Sequence, residues 1–295
     1  ITIMVVLWGN DGSPTQFVVG LANGEVSYYN AQSGWQTINN FRKSITELSV
    51  QWQDNGNPNL VVGLDNSEVQ YYQGSNGVWT QFHDGGWIYP VQQLAVQWTS
   101  NDTQPLVVVG LGDNNGNNGS VWYYQGSGEQ GGWTLLSGLP SGAAIAQMAV
   151  QWNVSPSPSS SNNVSDLKIV VGQADSTVSY YNGNGWTATP AINSSLQIPT
   201  LNAMTVQWNA NGQPQITVGL GDPEYDNGQL WYLPSPSQSW QELQGSSNYA
   251  SPITQIDSSW TESLVPNGQS DNLSYVFFGS DFNQTVNQTG TIGDD

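Results

Sequence analysis

ITELSVQW at residues 45–52, the turn QDNGNP, LVVG closing at Gly63 and EVQYY at 68–72 form the stretch on which the fold turns. Its runs are short, rich in Val, Ile, Leu, Tyr and Trp, and turn residues separate them about every ten positions, which is strand and hairpin chemistry. No amphipathic helix is evident. The same order recurs along the chain. The first run returns as ITIMVVLW from Ile1, VQQLAVQW from Val91, IAQMAVQW from Ile145, LNAMTVQW from Leu201 and ITQIDSSW from Ile253, each ending in tryptophan. The second closes on Gly20, Gly63, Gly110, Gly172, Gly219 and, more loosely, Gly279. The third carries paired aromatics at Tyr28/Tyr29, Tyr71/Tyr72, Tyr123/Tyr124 and Tyr180/Tyr181, with LWYL at Tyr232. A fourth opens on Trp35, Trp79, Trp133, Trp186 or Trp240, and the sixth copy lacks it.

Four strands in a unit of about 40–55 residues, repeated in tandem, predict an all-β, six-bladed β-propeller with about four antiparallel strands per blade. The blades fall near 1–44, 45–90, 91–144, 145–200, 201–252 and 253–295, in a single domain. The last blade is expected to be incomplete, with three strands and an outer edge that is either solvated or a template for another chain. Ile1 already opens the first copy, so no upstream strand is expected to be lent to blade 6. Of the 14 tryptophans, eleven sit at the repeated first-strand and fourth-strand positions and are expected in the core. Trp87, Trp122 and Trp231 lie outside that pattern.

Composition narrows function. Three Lys+Arg against 22 Asp+Glu give a net charge of −19, and Arg42, Lys43 and Lys168 are too few to displace counterions from a phosphate backbone or an acidic membrane. No nucleic-acid partner is expected. Without cysteine there is no disulfide, thiol nucleophile or thiolate metal site, and His83 alone excludes a multi-histidine zinc centre. No apolar run reaches the roughly 20 residues that span a bilayer. Charged residues are only 8% of the chain, and uncharged polar residues carry its solubility. That composition points to an extracellular protein, secreted or at the cell surface. The chain is read as mature or excised from a longer one.

WQDNGNPNLVVG (52–63) and WNANGQPQITVG (208–219), each followed by a GxVxYY-like strand, resemble FG-GAP/VCBS repeats. That resemblance implies an extracellular propeller whose first loop holds calcium on acids. Here Gln51, Gln53, Asn55 and Asn59, and Gln207, Asn209, Asn211 and Gln215, stand at those places, and neutral amides without carboxylate charge give poor calcium affinity. The six-copy layout is also similar to six-bladed fungal fucose-binding lectins. Their pockets use a recurrent Arg and Glu, whereas the only arginine here is Arg42.

Candidate ligand-binding residues are His83, Trp87 and Tyr89, in QFHDGGWIY, with Trp122 and Trp231, which stand where other copies have Ser27, Gln70 and Ser179. An indole beside amides and carboxylates can cover the apolar face of a sugar while polar groups fix its hydroxyls. Insertions after GLGD place oxygen side chains at alternate positions. Asp222, Glu224 and Asp226 in one copy, and Asp113 in the other, are candidate calcium ligands; no cofactor is otherwise required. N-x-[ST] acceptors stand at Asn101, Asn118, Asn153, Asn163, Asn193, Asn272, Asn283 and Asn287. Gln51, Gln97, Gln151 and Gln207 share one position, which reads as scaffold. His83 and Asp84 lack a nucleophile-elbow motif, and the chain lacks the arginines of sialidases.

The expected function is therefore non-enzymatic: a lectin-like, carbohydrate-binding or adhesive module. The alternative is a structural subunit that polymerises with like subunits through the edge of blade 6, and a glycoside hydrolase comes third.

Overall fold

The computed structural model describes residues 1–8, 14–53, 57–82, 85–98, 105–125, 132–152, 167–196, 199–209, 211–222, 227–243, 251–261, 272–279 and 285–286. Blade 1 holds β1 (Ile3–Trp8), β2 (Pro14–Gly20), β3 (Glu25–Asn30) and β4 (Gly34–Asn40). Blade 2 holds β5 (Ile45–Trp52), β6 (Pro58–Leu64), β7 (Val69–Gln73) and β8 (Val78–Gln81). Blade 3 holds β9 (Val91–Gln97), β10 (Leu106–Leu111), β11 (Ser120–Gln125) and β12 (Gly132–Leu135). Blade 4 holds β13 (Ile145–Trp152), β14 (Leu167–Gln173), β15 (Val178–Tyr181) and β16 (Trp186–Ala188). Blade 5 holds β17 (Thr200–Trp208), β18 (Pro214–Asp222), β19 (Asn227–Leu233) and β20 (Gln241–Glu242). Blade 6 holds β21 (Ile253–Thr261), β22 (Asn272–Gly279) and β23 (Thr285–Val286).

Each blade is an antiparallel meander, and among the described residues five sheets have four strands and the sixth has three. The protein is a six-bladed β-propeller with an incomplete last blade. Successive first strands pack on one another in blade order, β1 on β5 through to β17 on β21, which makes them the inner strands. Alternate residues of β5, β9, β13 and β17 face the preceding blade. Leu48, Val50 and Trp52 pack with blade 1, Leu94, Val96 and Trp98 with blade 2, Met148, Val150 and Trp152 with blade 3, and Met204, Val206 and Trp208 with blade 4. The core therefore lies between blades.

A repeated joint fixes each blade to the next. In blades 2 to 6 the pairing slips by one residue after the first position of the inner strand, for example between Ile45 and Glu47 and between Ile145 and Gln147. Such a bulge bends the strand and re-aims its first side chain. That side chain lands on the glycine that closes the second strand of the preceding blade. A Cβ added to Gly63 would sit 2.6 Å from Val91 Cγ1, one on Gly110 2.7 Å from Ile145 Cγ2, and one on Gly172 2.7 Å from Leu201 Cδ1. Gly20 meets Ile45, and Gly219 meets Ile253, in the same way. Glycine is required there because any side chain would occupy the neighbour's seat. Ile45, Val91, Ile145, Leu201 and Ile253 are all at most 3% exposed, and burying each such side chain contributes about 1.5–3 kcal/mol.

Blade 1 departs from this pattern on its leading face. Ile1, the counterpart of Ile45, is 80% exposed, and Met4, Trp8 and Trp35 are also exposed. The expectation that all eleven periodic tryptophans are core is corrected at Trp8 and Trp35. Elsewhere the fourth-strand tryptophan reaches back to the linker before its own blade: Trp186 Nε1 donates to Leu136 O and Trp240 Nε1 to Pro190 O, both at 2.8 Å. Trp79 instead meets Phe41 edge-on at 4.9 Å. Trp35 packs within its own blade, against Tyr29 and Phe17. Blade 6 differs too. Its register sets Phe278 opposite Gln255, where blade 5 sets Gly219 opposite Ala203. Phe278, not Gly279, therefore occupies the glycine position.

The first loop of blade 2 is held by neutral amides. Gln51 Oε1 accepts from Gln53 Nε2 (2.9 Å) and Asn59 Nδ2 (3.0 Å), and buried Asn59 accepts the Gly74 N–H at 2.8 Å. In blade 5 Asn209 Oδ1 accepts the N–H groups of Asn211 and Gln213. Amide side-chain hydrogen bonds thus brace the described ends of these loops. No helix is long and apolar enough to cross a membrane among the described residues.

Candidate functional site

The linker between blades 2 and 3 folds over the β6–β7 hairpin and leaves a cavity of about 160 Å³. Gly86 at φ +74° turns the chain, and Gly85 lies so close to the Trp87 ring that a Cβ has no room. The hairpin turn carries Ser67 at φ +77°, a left-handed position usually given to glycine, as Gly24 is in blade 1. Its carbonyl accepts the Trp87 Nε1–H at 2.8 Å. The indole is thereby pinned, half-buried, with Trp133 edge-on at 4.7 Å and Trp122 at 5.1 Å.

Polar groups share the cavity with these rings: Asn66, Glu68 and Gln81 line it beside Trp87, Trp133 and Phe82. The Asn66 Oδ1 atom is buried and has no hydrogen-bond partner among the described residues. Glu68 Oε2 accepts from Gln70 Nε2 at 3.2 Å. The arrangement brings an apolar ring surface, the Gln81 amide and the Glu68 carboxylate around one small volume. Pockets for drug-sized ligands run to roughly 300–1,000 Å³, so this cavity suits one small unit.

Of the residues singled out in sequence, Trp87 lines this cavity and Trp122 packs against Trp87 with its ring tilted by 50°. Trp122 Nε1 donates to Ser120 Oγ at 3.2 Å. Tyr89 is half-buried against the core between blades 2 and 3, and His83 and Asp84 lie outside the described residues. Trp231 is 6% exposed in the core between blades 4 and 5 and donates to Gln229 Oε1 at 3.2 Å. It serves packing there and is not free to face a ligand. Asn66, Glu68 and Trp133 were not singled out in sequence. Glu68 precedes the third strand at the position of Glu25, Ser120, Thr177 and Gln229, a polar column that the repeat alignment exposes.

Asp113 caps its own loop. It accepts the Asn117 and Asn115 N–H groups at 2.8 and 2.9 Å and Asn118 Nδ2 at 2.7 Å. Led by the bond from Asn117, these outweigh the opposing effect of desolvation and hold its carboxyl below the usual carboxylate range. Asp222 ends β18, and Glu224 and Asp226 lie outside the described residues. Among the described residues no three His, Cys, Asp or Glu side chains cluster as metal ligands. Asn118 and Asn193 are exposed and Asn272 opens β22, whereas Asn101, Asn153, Asn163, Asn283 and Asn287 lie outside the described residues.

No protein-family model matches the chain, so the FG-GAP/VCBS likeness rests on the motifs quoted above. No curated protein matches it either. Among solved structures it is similar to BBS1N, crystallised in complex with ARL6DN, at 11% identity over 95% of this chain and 76% of that one, with a TM-score of 0.53. It is also similar to the fucose-specific lectin of Aleuria aurantia, a six-bladed β-propeller, at 17% identity over 94% and 87%, with a TM-score of 0.47. At these identities the likeness bears on the fold alone.

Proposed function

We infer that this propeller is a non-enzymatic, lectin-like module that binds carbohydrate in the cavity between blades 2 and 3. The observation that carries the reading is Trp87, held half-buried by its bond to Ser67 O beside the cavity that Glu68 and Gln81 also line. A pyranose stacks its C–H face on the indole and donates hydroxyls to the Glu68 carboxylate and the Gln81 amide. No Lys or Arg lines the cavity, so the ligand is a neutral sugar and not a sialylated or sulfated one. The uncharged polar surface supports an extracellular setting, with glycans on exposed acceptors such as Asn193. A glycan array with the purified protein tests this reading. Binding to neutral glycans that falls at least tenfold in Trp87→Ala supports it, and no binding to any glycan overturns it.

One observation favours a second reading, assembly into an extracellular filament. In blade 6, β23 pairs with β22 only at Phe277–Val286 and Phe278–Thr285 among the described residues, and an incompletely covered edge can template another chain. Light scattering that finds only monomers across micromolar concentrations removes that reading.

A further inference from the structure

Ten Asn-Gly steps punctuate the chain, eight of them within the described residues. Most close tight turns, where glycine takes a left-handed backbone without strain: Gly24, Gly77, Gly116, Gly183 and Gly212 lie at φ between +66° and +93°. The missing Cβ that suits glycine to the turn also uncovers its nitrogen. That nitrogen can attack the side-chain carbonyl carbon, Cγ, of the asparagine before it. The attack needs two groups free together, the glycine N–H and the asparagine carboxamide, because each must leave any hydrogen bond it holds to come into line.

The fold restrains seven of the eight described steps. At Asn23 and Asn76 it holds both groups: Gly24 N donates to Leu21 O at 3.0 Å and Gly77 N to Gln73 O at 2.9 Å, while Asn23 Oδ1 accepts the Glu25 N–H and Asn76 Oδ1 the Val78 N–H. At Asn118, Gly119 N donates to Gly142 O at 2.9 Å and the carboxamide to Asp113 Oδ2 at 2.7 Å. The Gly116 and Gly212 N–H groups are bonded to Asp113 O and Asn209 O. Asn227 and Gly228 are held in the β18–β19 ladder opposite Asp222 and Gly221, with the Asn227 Oδ1 atom shut from solvent. The Asn182 Oδ1 atom accepts the Asn184 N–H at 3.0 Å.

Asn184 differs from all of these. It is exposed in the turn of the β15–β16 hairpin, between Gly183 at φ +93° and Gly185. The turn is closed by the Asn182 N–H on Gly185 O at 3.3 Å, a bond that does not use the Gly185 N–H. Neither that N–H nor the Asn184 carboxamide has a hydrogen-bond partner among the described residues. A Cβ built on Gly185 meets nothing within 4 Å, so the backbone around the attacking nitrogen is open. The nearest comparison is Asn182, two residues earlier in the same turn. Its side chain braces the turn, and that of Asn184 braces nothing.

We propose that Asn184 is a modification site, the fastest of the described Asn-Gly steps to deamidate. The Gly185 nitrogen gives up its proton to water or hydroxide and bonds to Asn184 Cγ; the Cγ–Nδ2 bond breaks and the amide leaves as ammonia. The product is a five-membered imide, which water opens at either carbonyl. Breaking the new bond between nitrogen and Cγ gives aspartate. Breaking the bond between that nitrogen and the main-chain carbonyl carbon of residue 184 gives isoaspartate, whose main chain runs through Cγ. No electrons are transferred, and water is the sole co-reactant. Either product adds a negative charge. Isoaspartate also lengthens the main chain by one methylene two residues before Trp186, whose indole is bonded to Leu136 O; the modification thus lies beside the bond that straps β16 to the linker from blade 3.

Peptide mapping by mass spectrometry of the full chain, aged at about pH 8 in heavy-oxygen water, tests the site, since opening of the imide places a labelled oxygen in each modified residue. Label should enter at Asn184 about fivefold faster, or more, than at Asn23, Asn76 or Asn118, the factor that one turn hydrogen bond withholds. Gly185→Ala, whose Cβ has open space, keeps the fold and crowds the nitrogen. It should leave Tm unchanged and slow labelling of residue 184 by about tenfold or more. In chain unfolded by urea, where no turn survives, the same steps should label at similar rates. Labelling of Asn23, Asn76 or Asn118 as fast as Asn184, no label at Asn184 once they have reacted, or labelling of residue 184 that persists in Gly185→Ala overturns the proposal. A ranking that persists in urea would show that neighbouring sequence and not the fold sets it, and overturns the proposal as well.

Discussion

Ile145 and Ile1 hold the same place in the repeat, yet Ile145 is 1% exposed on Gly110 and Ile1 is 80% exposed. Identical residues at equivalent positions differ because the seat belongs to the neighbouring blade. A propeller blade cannot bury its own faces. It presents a bulged first residue to the blade before it and a glycine to the blade after it, and stability is expected to reside in those joints more than within the sheets.

The sharpest break of the comparison is truncation. Ile145→Ala should cost about 2–5 kcal/mol through lost burial and the cavity left behind, whereas Ile1→Ala should fall within about 0.5 kcal/mol of wild type. Urea denaturation of both variants measures the contrast, and equal losses would mean that Ile1 is seated in solution. The joint between blades 2 and 3 holds a second lever. Glu47 lies against Gly63, its Oε1 accepts from Gln93 Nε2 at 3.5 Å, and burial pushes its carboxyl up from 4.5 to about 8. The folded state thus keeps a proton that the unfolded chain loses. Its contribution is full below about pH 4.5 and is lost as pH rises toward 8. Glu47→Gln should flatten that slope and stabilise the protein above pH 8 by on the order of a few kcal/mol, read from urea midpoints at several pH values.

Smaller effects sharpen the picture. Gly110→Val puts side-chain atoms into the seat of Ile145 and should cost about 1–3 kcal/mol, while the same change at Gly34, which has open space around it but φ +70°, should show only its backbone strain. The smallest expected effect lies at the first cavity. Ser67→Gly relieves a left-handed serine and should raise stability by about 1 kcal/mol, visible as a small increase in Tm; a decrease would show that the Ser67 side chain contributes more than the strain it bears.

The repeat was legible because strand chemistry and turn residues are local, and each copy states them again. ITELSVQW and its relatives announce an inner strand, and LVVG announces the strand beside it. The blade count and the missing fourth strand of blade 6 follow from counting. Trp87 was legible as a candidate because it broke the pattern. Trp122 and Trp231 broke it equally, yet one is half-buried beside a cavity and the other sealed in the core, since their linkers differ: Trp87 lies over one, while Ser194 and Ser195 hydrogen-bond to Gln229 beside the other. Asn66 gave no signal as a single residue. A missing hydrogen bond is a property of surroundings.

What the sequence determined alone was the architecture, because hydrophobic runs, glycines and turn residues act over a few positions and six copies agree. What the tertiary structure decided was which equivalent residues became useful. Burial, pairing and empty volume arise only where two blades and a linker meet, so Ile1 parts from Ile145 and Trp231 from Trp122, although each pair shares one place in the repeat.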